Sequence, residues 1–339
     1  MELINNNNQR YLSLTKDLIL ELYKEYPVLA QKKIAELKML NDPKNPFFKF
    51  GQIENFLLLD DNRPVAHASA IIDSRLDDSI GVVGYFEALE DRKYAFGVLE
   101  AVRDFLSAKG KNTIRGPINL NTWNSFRLSY PEDNKPFLSE PFFREYYIDI
   151  FEEFGFKVVQ NNVSHIYKLA DSKFALFEDN FNSLEKQSYN FEWIDKNNFK
   201  DSLRDIYSIV AGAFVDSWNF TLISAEEFEY FTQNFRELDN NFSCFIKDKQ
   251  GALVAFAFAF KDAYNEKQSN VVVKTFAISK KHQGKGLGKA LFYFLYQKSL
   301  ENKVDNFIFS TMRDDNLGIL NLTGGGDVYR RYKVYELNI

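Results

Sequence analysis

The sequence has a single cysteine, Cys244, among its 339 residues. An intrachain disulfide is excluded, and the chain fits a reducing compartment. Histidine is nearly as scarce. His67, His165 and His282 lie far apart, and no His-x-x-x-His or Cys-x-x-Cys spacing occurs, so no metal-ligand pattern is present. Long apolar runs are also missing. None approaches the roughly 20 residues that a membrane-spanning helix needs, and the opening MELINNNNQR lacks the charged-then-apolar order of a signal peptide. Positive charge is not in excess either. With 42 Lys and Arg against 47 Asp and Glu the net charge is −5, unlike the basic domains that bind nucleic acid. The expectation is a cytoplasmic protein without metal, membrane span or nucleic-acid partner.

What the chain does have is aromatic residues, mostly 34 Phe and 18 Tyr, so its core is expected to be built around rings. Residues 13–40 carry helical apolar spacing (Leu14, Leu18, Leu22, then Leu29, Ile34, Leu37) interrupted at Pro27. NFLLLDDNRPVAHASAII reads as a hairpin about DDNRP. SIGVVGYFEAL is a strand, and RKYAFGVLEAVRDFLSAKG is an amphipathic helix ending at Gly110. A helix over YYIDIFEEFGF and a strand follow. A second pass begins near Asp171, with a polar connecting stretch around Asn180–Asn190. Two helices come next, the second spanning 224–238 with Ser224 and Glu227 as a capping box. A hairpin about KDKQG, a strand, a glycine-rich turn, a helix and two strands complete the chain. The order of elements repeats although the sequence does not. The fold class is therefore α+β: two domains of about 150 residues each, with mixed, mostly antiparallel sheets flanked by helices. The boundaries are 1–170 and 191–339, with 171–190 as linker.

The glycine-rich turn lies in AISKKHQGKGLGKALFYFLYQ, between a strand and a helix. The first N–H groups of a helix lack intrahelical partners and lie at the positive end of its dipole. Glycines let the backbone approach a phosphate closely, and Lys281, Lys285 and Lys289 add positive charge. A P-loop is excluded, because Ala290 follows Gly288-Lys289 and Gln283 stands where the first glycine belongs. A dinucleotide fingerprint fails from either Gly284 or Gly286. The pattern Q/R-x-x-G-x-G/A fits at every position of Gln283, Gly284, Lys285, Gly286, Leu287 and Gly288.

That loop, with its alternating lead-in strand, resembles the coenzyme A diphosphate loop of the GNAT acyltransferase superfamily. NDPKNPFF, GYFE, IRGPINL, SWNF with the later EEF, and YRRYKVYEL together resemble bacterial proteins with two GNAT-like halves. The resemblance implies that Phe276, Ala277 and Ile278 offer backbone groups to a pantetheine arm and thioester carbonyl. It implies that Gln283–Lys289 hold the diphosphate and that Asn316, otherwise a turn or N-cap residue, touches the pantetheine. The co-substrate is then acetyl-CoA or another acyl-CoA. In the first half the matching turn carries Asp91, Arg92 and Lys93 and no such motif, so that half is read as degenerate, walling the acceptor site or acting as support.

The resemblance also exposes departures. Where relatives place a tyrosine seven or eight residues after the asparagine, this chain has Thr323 and Gly324, and Lys274 and Thr275 stand where some place a glutamate. Tyr332 is the substitute candidate for a catalytic proton donor; the alternative is a ring packed on the sheet. Asp216, Trp218 and Asn219 are candidates for receiving an amine, against a core aromatic at a helix end. Glu87 is a further candidate, against a surface carboxylate. The functional expectation is an acyl-CoA-dependent N-acyltransferase acting on a small-molecule or peptide amine. The alternatives are an acyl-CoA-binding sensor, or a transferase of the same fold drawing on acyl-carrier protein or aminoacyl-tRNA.

Overall fold

The computed structural model describes residues 1–130, 135–195, 198–232, 242–265 and 268–339. In chain order the elements are β1 (Glu2–Asn5), α1 (Tyr11–Leu22), α2 (Pro27–Leu40), β2 (Gly51–Asp60), β3 (Arg63–Asp73), β4 (Ile80–Ala88), α3 (Arg92–Ala108), β5 (Thr113–Gly116), β6 (Leu128–Ser129), α4 (Tyr147–Phe154) and β7 (Lys157–Lys168). They continue with α5 (Glu178–Lys186), β8 (Asn190–Trp193), α6 (Phe199–Phe214), α7 (Ala225–Thr232), β9 (Cys244–Lys247), β10 (Leu253–Lys261), β11 (Asn270–Ile278), α8 (Leu287–Glu301), β12 (Asn306–Arg313), α9 (Leu317–Thr323) and β13 (Asp327–Asn338). The α+β class holds, with helices flanking mixed sheets. Among the described residues, no helix is long and apolar enough to cross a membrane.

Contacts divide the chain into two compact units. The first comprises Met1–Ser129, Phe143–Gln160 and Lys333–Ile339; the second comprises Tyr130–Phe142 and Asn161–Tyr332. The division differs from the contiguous halves expected from the sequence. It falls inside β7 and inside β13: Asn162–Lys168 of β7 pairs with β12 of the second unit, and Tyr335–Asn338 of β13 pairs with β5 of the first. Segments crossing between units leave no break in composition for a sequence reading to find.

In the first unit the strand order is β1-β2-β3-β4-β5, followed by the C-terminal part of β13. All neighbours are antiparallel except β4 and β5. Local chemistry explains the elements. Pro27 is the first residue of α2, where its missing N–H costs nothing. Asp61 and Asn62 both take positive φ in the β2–β3 turn, as the twist of a tight hairpin requires. Gly110, just past α3, has φ +77. The buried face of α3 is Ala95, Val98, Leu99, Val102 and Leu106, spaced by three and four.

A polar pair sits in this unit's interior. His67 Nδ1 lies 2.7 Å from the Tyr85 carbonyl and Nε2 lies 2.6 Å from the Tyr11 hydroxyl. A neutral imidazole donating from Nδ1 and accepting at Nε2 satisfies both bonds. Burial drives its pKa down to about 4, partly opposed by the bond to Tyr85.

In the second unit the order is the N-terminal part of β13, then β7-β12-β11-β10-β9-β8. Only β11 and β12 are parallel among the pairs whose register is defined. Phe and Ala alternate along β10. Its alanines 255, 257 and 259 join a core with Leu291, Phe292 and Leu295 of α8, while Phe256, Phe258 and Phe260 occupy the opposite face. At α7 the Ser224 hydroxyl accepts from the Glu227 N–H at 3.1 Å and the Glu227 carboxylate accepts from the Ser224 N–H at 2.8 Å. This is the reciprocal capping box. The structure describes that helix to Thr232; the remainder of the expected helix, 233–238, lies outside the described residues.

The stretch 171–190 is not a linker but part of this core. Phe174 is fully buried and stacks on Phe292, with centroids 5.1 Å apart and planes 4° apart. Leu184 of α5 is buried, and Phe177 and Phe181 pack beside it. Apolar residues at helical spacing outweigh the intervening Asn, Ser and Glu.

Two outcomes follow from these packings. Phe174→Ala should lower the unfolding free energy by about 3–5 kcal/mol, read from urea midpoints at constant slope, whereas a linker residue would change it little. His67 should also make stability depend on pH. The unfolded ring protonates near 6.5 and the folded ring near 4, so the unfolded state binds more protons between these values. Stability is then complete above pH 6.5 and falls as the pH drops towards 4. His67→Gln should flatten that part of a denaturation-versus-pH curve.

Candidate functional site: an opening between parallel strands

The register of β11 against β12 runs from Asn270↔Asn306 to Val273↔Phe309 and then stops. Beyond it, β11 continues to Ile278 and β12 to Arg313, so two strands part where they would otherwise exchange hydrogen bonds. Both are irregular at that point. Opposite β10, Phe258 pairs with Thr275 and Ala259 with Val273, making Lys274 the extra residue of a bulge. Opposite β7, Phe309 pairs with His165 and Met312 with Val163, so Ser310 and Thr311 together face Ser164.

The free edge of β11 follows from its pairing. The Ser279 N–H donates to the Val254 carbonyl at 2.9 Å, and Ala277 stands opposite Phe256 in the same register. Antiparallel neighbours alternate between bonded and non-bonded pairs. Ala277 therefore turns its backbone to β10, while Phe276 and Ile278 turn theirs away from β10 and towards the opening. The Ile278 carbonyl accepts from Gln283 Nε2 at 3.5 Å, consistent with that direction. The Phe276 ring stacks on Phe292, centroids 4.6 Å apart, which fixes the strand against α8.

The glycine loop joins this strand to α8. Gly284 and Gly286 have φ of +78 and +82, values that favour glycine. A Cβ on Gly284 would meet open space; one on Gly286 would lie 3.0 Å from Asn180 Nδ2. Gly286 is the N-cap of α8 and makes no side-chain cap bond, so the first N–H groups of that helix remain for an outside acceptor. Gln283, Gly284, Lys285 and Lys289 are exposed, while Leu287 and Gly288 are buried. At Gly288 a Cβ would come within 3.1 Å of Leu322 Cδ1 in α9. Lys289 Nζ lies 5.7 Å from the Phe177 ring centre. The arrangement can hold an anion on main-chain amides.

The same element order in the first unit is closed. Pairing of β4 with β5 ends at Val82↔Arg115. There the Ile118 N–H donates to the Val83 carbonyl at 2.9 Å, and the Asn119 side chain accepts from the Tyr85 N–H at 2.7 Å. The chain itself thus fills the gap. At α3 the Asp91 carboxylate accepts from the Lys93 N–H at 2.8 Å, so an anion is already built into that helix start.

The remaining sequence candidates fall in different places. Asn316 is the N-cap of α9, its carbonyl oxygen accepting from the Ile319 N–H at 3.4 Å. Asp216 is exposed and pairs with Lys280 at 2.9 Å, which ties its segment to the turn before the loop. Trp218 is half-buried, and Asn219 is buried with φ +52. Two candidates are corrected by burial. Tyr332 is 1% exposed and donates to Glu140 Oε1 at 2.6 Å; its hydroxyl faces the protein interior and not a substrate. Glu87, on β4, is no surface carboxylate and no acceptor ligand. It takes Lys33 Nζ at 2.6 Å, the Tyr23 hydroxyl at 2.7 Å and the Tyr147 hydroxyl at 3.0 Å. Residue type alone does not report burial, which is why both looked available in the sequence. Sequence reasoning missed Asn180 beside Gly286, because it lies in the stretch read as linker, and missed the bulges at Lys274 and Thr311, which leave no compositional mark.

With the geometry in place, comparison defines the class. Residues 203–323 match the model of the acetyltransferase (GNAT) family. A solved tandem GNAT protein from the clavulanic acid biosynthesis pathway superposes with a TM-score of 0.61 at 11% identity, over 99% of this chain and 98% of that one. A probable N-acyltransferase from Enterococcus faecalis V583 gives 0.59 at 10% identity, over 100% of this chain and 72% of that one. At these identities the likeness is one of fold. In sequence the chain is similar to a bacterial ceramide synthase of Caulobacter vibrioides, 24% identical over 88% of this chain and 86% of that protein. Residues 203–323 are thus similar in sequence to the GNAT family, and the chain as a whole shares the fold of tandem GNAT proteins.

The reassignment of Glu87 has a direct test. Glu87→Ala should destabilise the protein by about 3–5 kcal/mol, because it strands a buried ammonium. Combining it with Lys33→Met should recover much of the loss in a double-mutant cycle, which an acceptor-binding role would not produce.

Proposed function

We propose that the protein is an acyl-CoA-dependent N-acyltransferase whose second unit holds the co-substrate. The observation that carries this reading is the uncapped start of α8 behind two left-handed glycines, next to a strand whose outward backbone groups lack a ladder partner. In this reading Gln283–Lys289 hold the diphosphate on main-chain amides, with Lys281, Lys285 and Lys289 adding charge. Phe276 and Ile278 align the pantetheine arm. Ala277 anchors that strand to β10, and Asn316 borders the arm's far end. The Ile278 N–H stabilises the oxyanion as a neutral amine attacks the thioester carbonyl. The new C–N bond forms as the C–S bond breaks, the amine gives up a proton, and the thiolate takes one. Asp216, Trp218 and Asn219 border the amine. No side chain is assigned the proton transfers; holding the two reactants together supplies much of the acceleration.

Similarity to a protein named a bacterial ceramide synthase supports a lipid amine as acceptor. A ceramide is a long-chain amino alcohol acylated on nitrogen, so a long-chain primary amine with a fatty acyl-CoA is the first pair to test. Small-molecule and peptide amines are the comparison set.

Acyl-CoAs of increasing chain length should raise the thermal unfolding midpoint. At 100 times the dissociation constant the stabilisation is about 2.7 kcal/mol. Gly286→Glu should remove the shift through bulk, backbone strain and like charge. Thiol release that requires the amine marks an enzyme; a shift without release under any acceptor marks a sensor. No shift with any acyl-CoA rejects the reading and leaves carriers such as acyl-carrier protein or aminoacyl-tRNA as donors to try.

A further inference from the structure

Thr311 has φ +53 in the interior of β12. A β-branched residue in that region is a genuine outlier, and such strain persists only where the surroundings over-determine it. Here they do. The residue sits in the bulge opposite Ser164, so the ladder cannot use its N–H. Instead that N–H donates to Ser164 Oγ at 2.9 Å. The Ser164 hydroxyl lies 2.9 Å from the Tyr332 hydroxyl, which donates to Glu140 Oε1 at 2.6 Å. The same oxygen lies 2.6 Å from Arg330 Nε, and the Phe137 N–H donates to the other at 3.2 Å. Ser164, Tyr332, Glu140 and Arg330 are each at most 1% exposed. They come from β7, β13 and the segment Tyr130–Phe142, all within the second unit.

The strained residue stands two positions beyond Phe309, the last residue of β12 that pairs with β11. We propose that Ser164, Tyr332 and Glu140 are positioning residues that hold Thr311 in its left-handed conformation and thereby keep β12 turned away from β11, setting the width of the co-substrate opening. The proposal rests on the acyl-CoA reading for its ligand but not for its geometry. Without the Ser164 hydroxyl the half-buried Thr311 N–H loses its partner, and the residue relaxes towards ordinary strand dihedrals. The β12 edge then returns towards β11, and the opening narrows. Tyr332 thus acts from inside the sheet, through Ser164, without touching a substrate.

The test uses the full chain and coenzyme A as probe, with binding followed by calorimetry. Ser164→Ala and Tyr332→Phe should each raise Kd about tenfold, the loss expected for one buried hydrogen bond. Glycine takes positive φ without strain, so adding Thr311→Gly to Ser164→Ala should return Kd to within a few-fold of the parent although the network stays broken. A role in stability alone would not give that rescue. Amide exchange at Thr311 in the ligand-free protein should quicken in Ser164→Ala. Should Ser164→Ala not fold, Tyr332→Phe, which keeps the ring, carries the same two readouts. Unchanged Kd and unchanged exchange in folded variants would overturn the proposal, as would a weakened Kd that Thr311→Gly does not restore. If the parent binds no coenzyme A, the acyl-CoA reading falls, and the exchange experiment alone decides whether the network pins the bulge.

Discussion

Two parallel strands that stop exchanging hydrogen bonds leave backbone groups that must be satisfied some other way. Past Val273 and Phe309, β11 and β12 meet that condition, and the organisation of the second unit follows from it. The Lys274 bulge re-aims β11, the Thr311 bulge diverts β12, and Phe276 is fixed by its stack on Phe292. Outward N–H groups at Phe276 and Ile278 then lead directly to the uncapped start of α8. In the proposed function, the thioester arm and diphosphate of an acyl-CoA answer these groups.

The first unit meets the same condition in the opposite way. Ile118 and Asn119 supply the missing bonds from the chain itself, and Asp91 caps the helix that would otherwise attract an anion. Its interior charge, Glu87, is matched by Lys33 and two tyrosines. One element order thus leaves parted strands without a ladder partner in one unit and supplies the partner from the chain itself in the other.

Much of this was legible in the sequence. Pro27, the Asp61–Asn62 turn, Gly110 and the Ser224–Glu227 box mark element ends by local chemistry, and local chemistry survives folding. Gln283–Gly288 were legible because their spacing reports a backbone requirement. What the sequence did not disclose depends on burial and register. Tyr332 and Glu87 looked available until their neighbours were known. Phe174 was hidden in a polar stretch whose apolar residues only gain meaning against α8. The strand division within β7 and β13 has no compositional edge at all, and the bulges at Lys274 and Thr311 exist only relative to their partner strands.

The most direct test of the account is to follow backbone amide resonances as coenzyme A is added. The account predicts shifts concentrated at Gly284–Lys289 and at Phe276 and Ile278, with Asp91–Tyr94 at the start of α3 unchanged. Resonances of the glycine loop that stay still at saturating ligand, or shifts that gather at α3 instead, would contradict it.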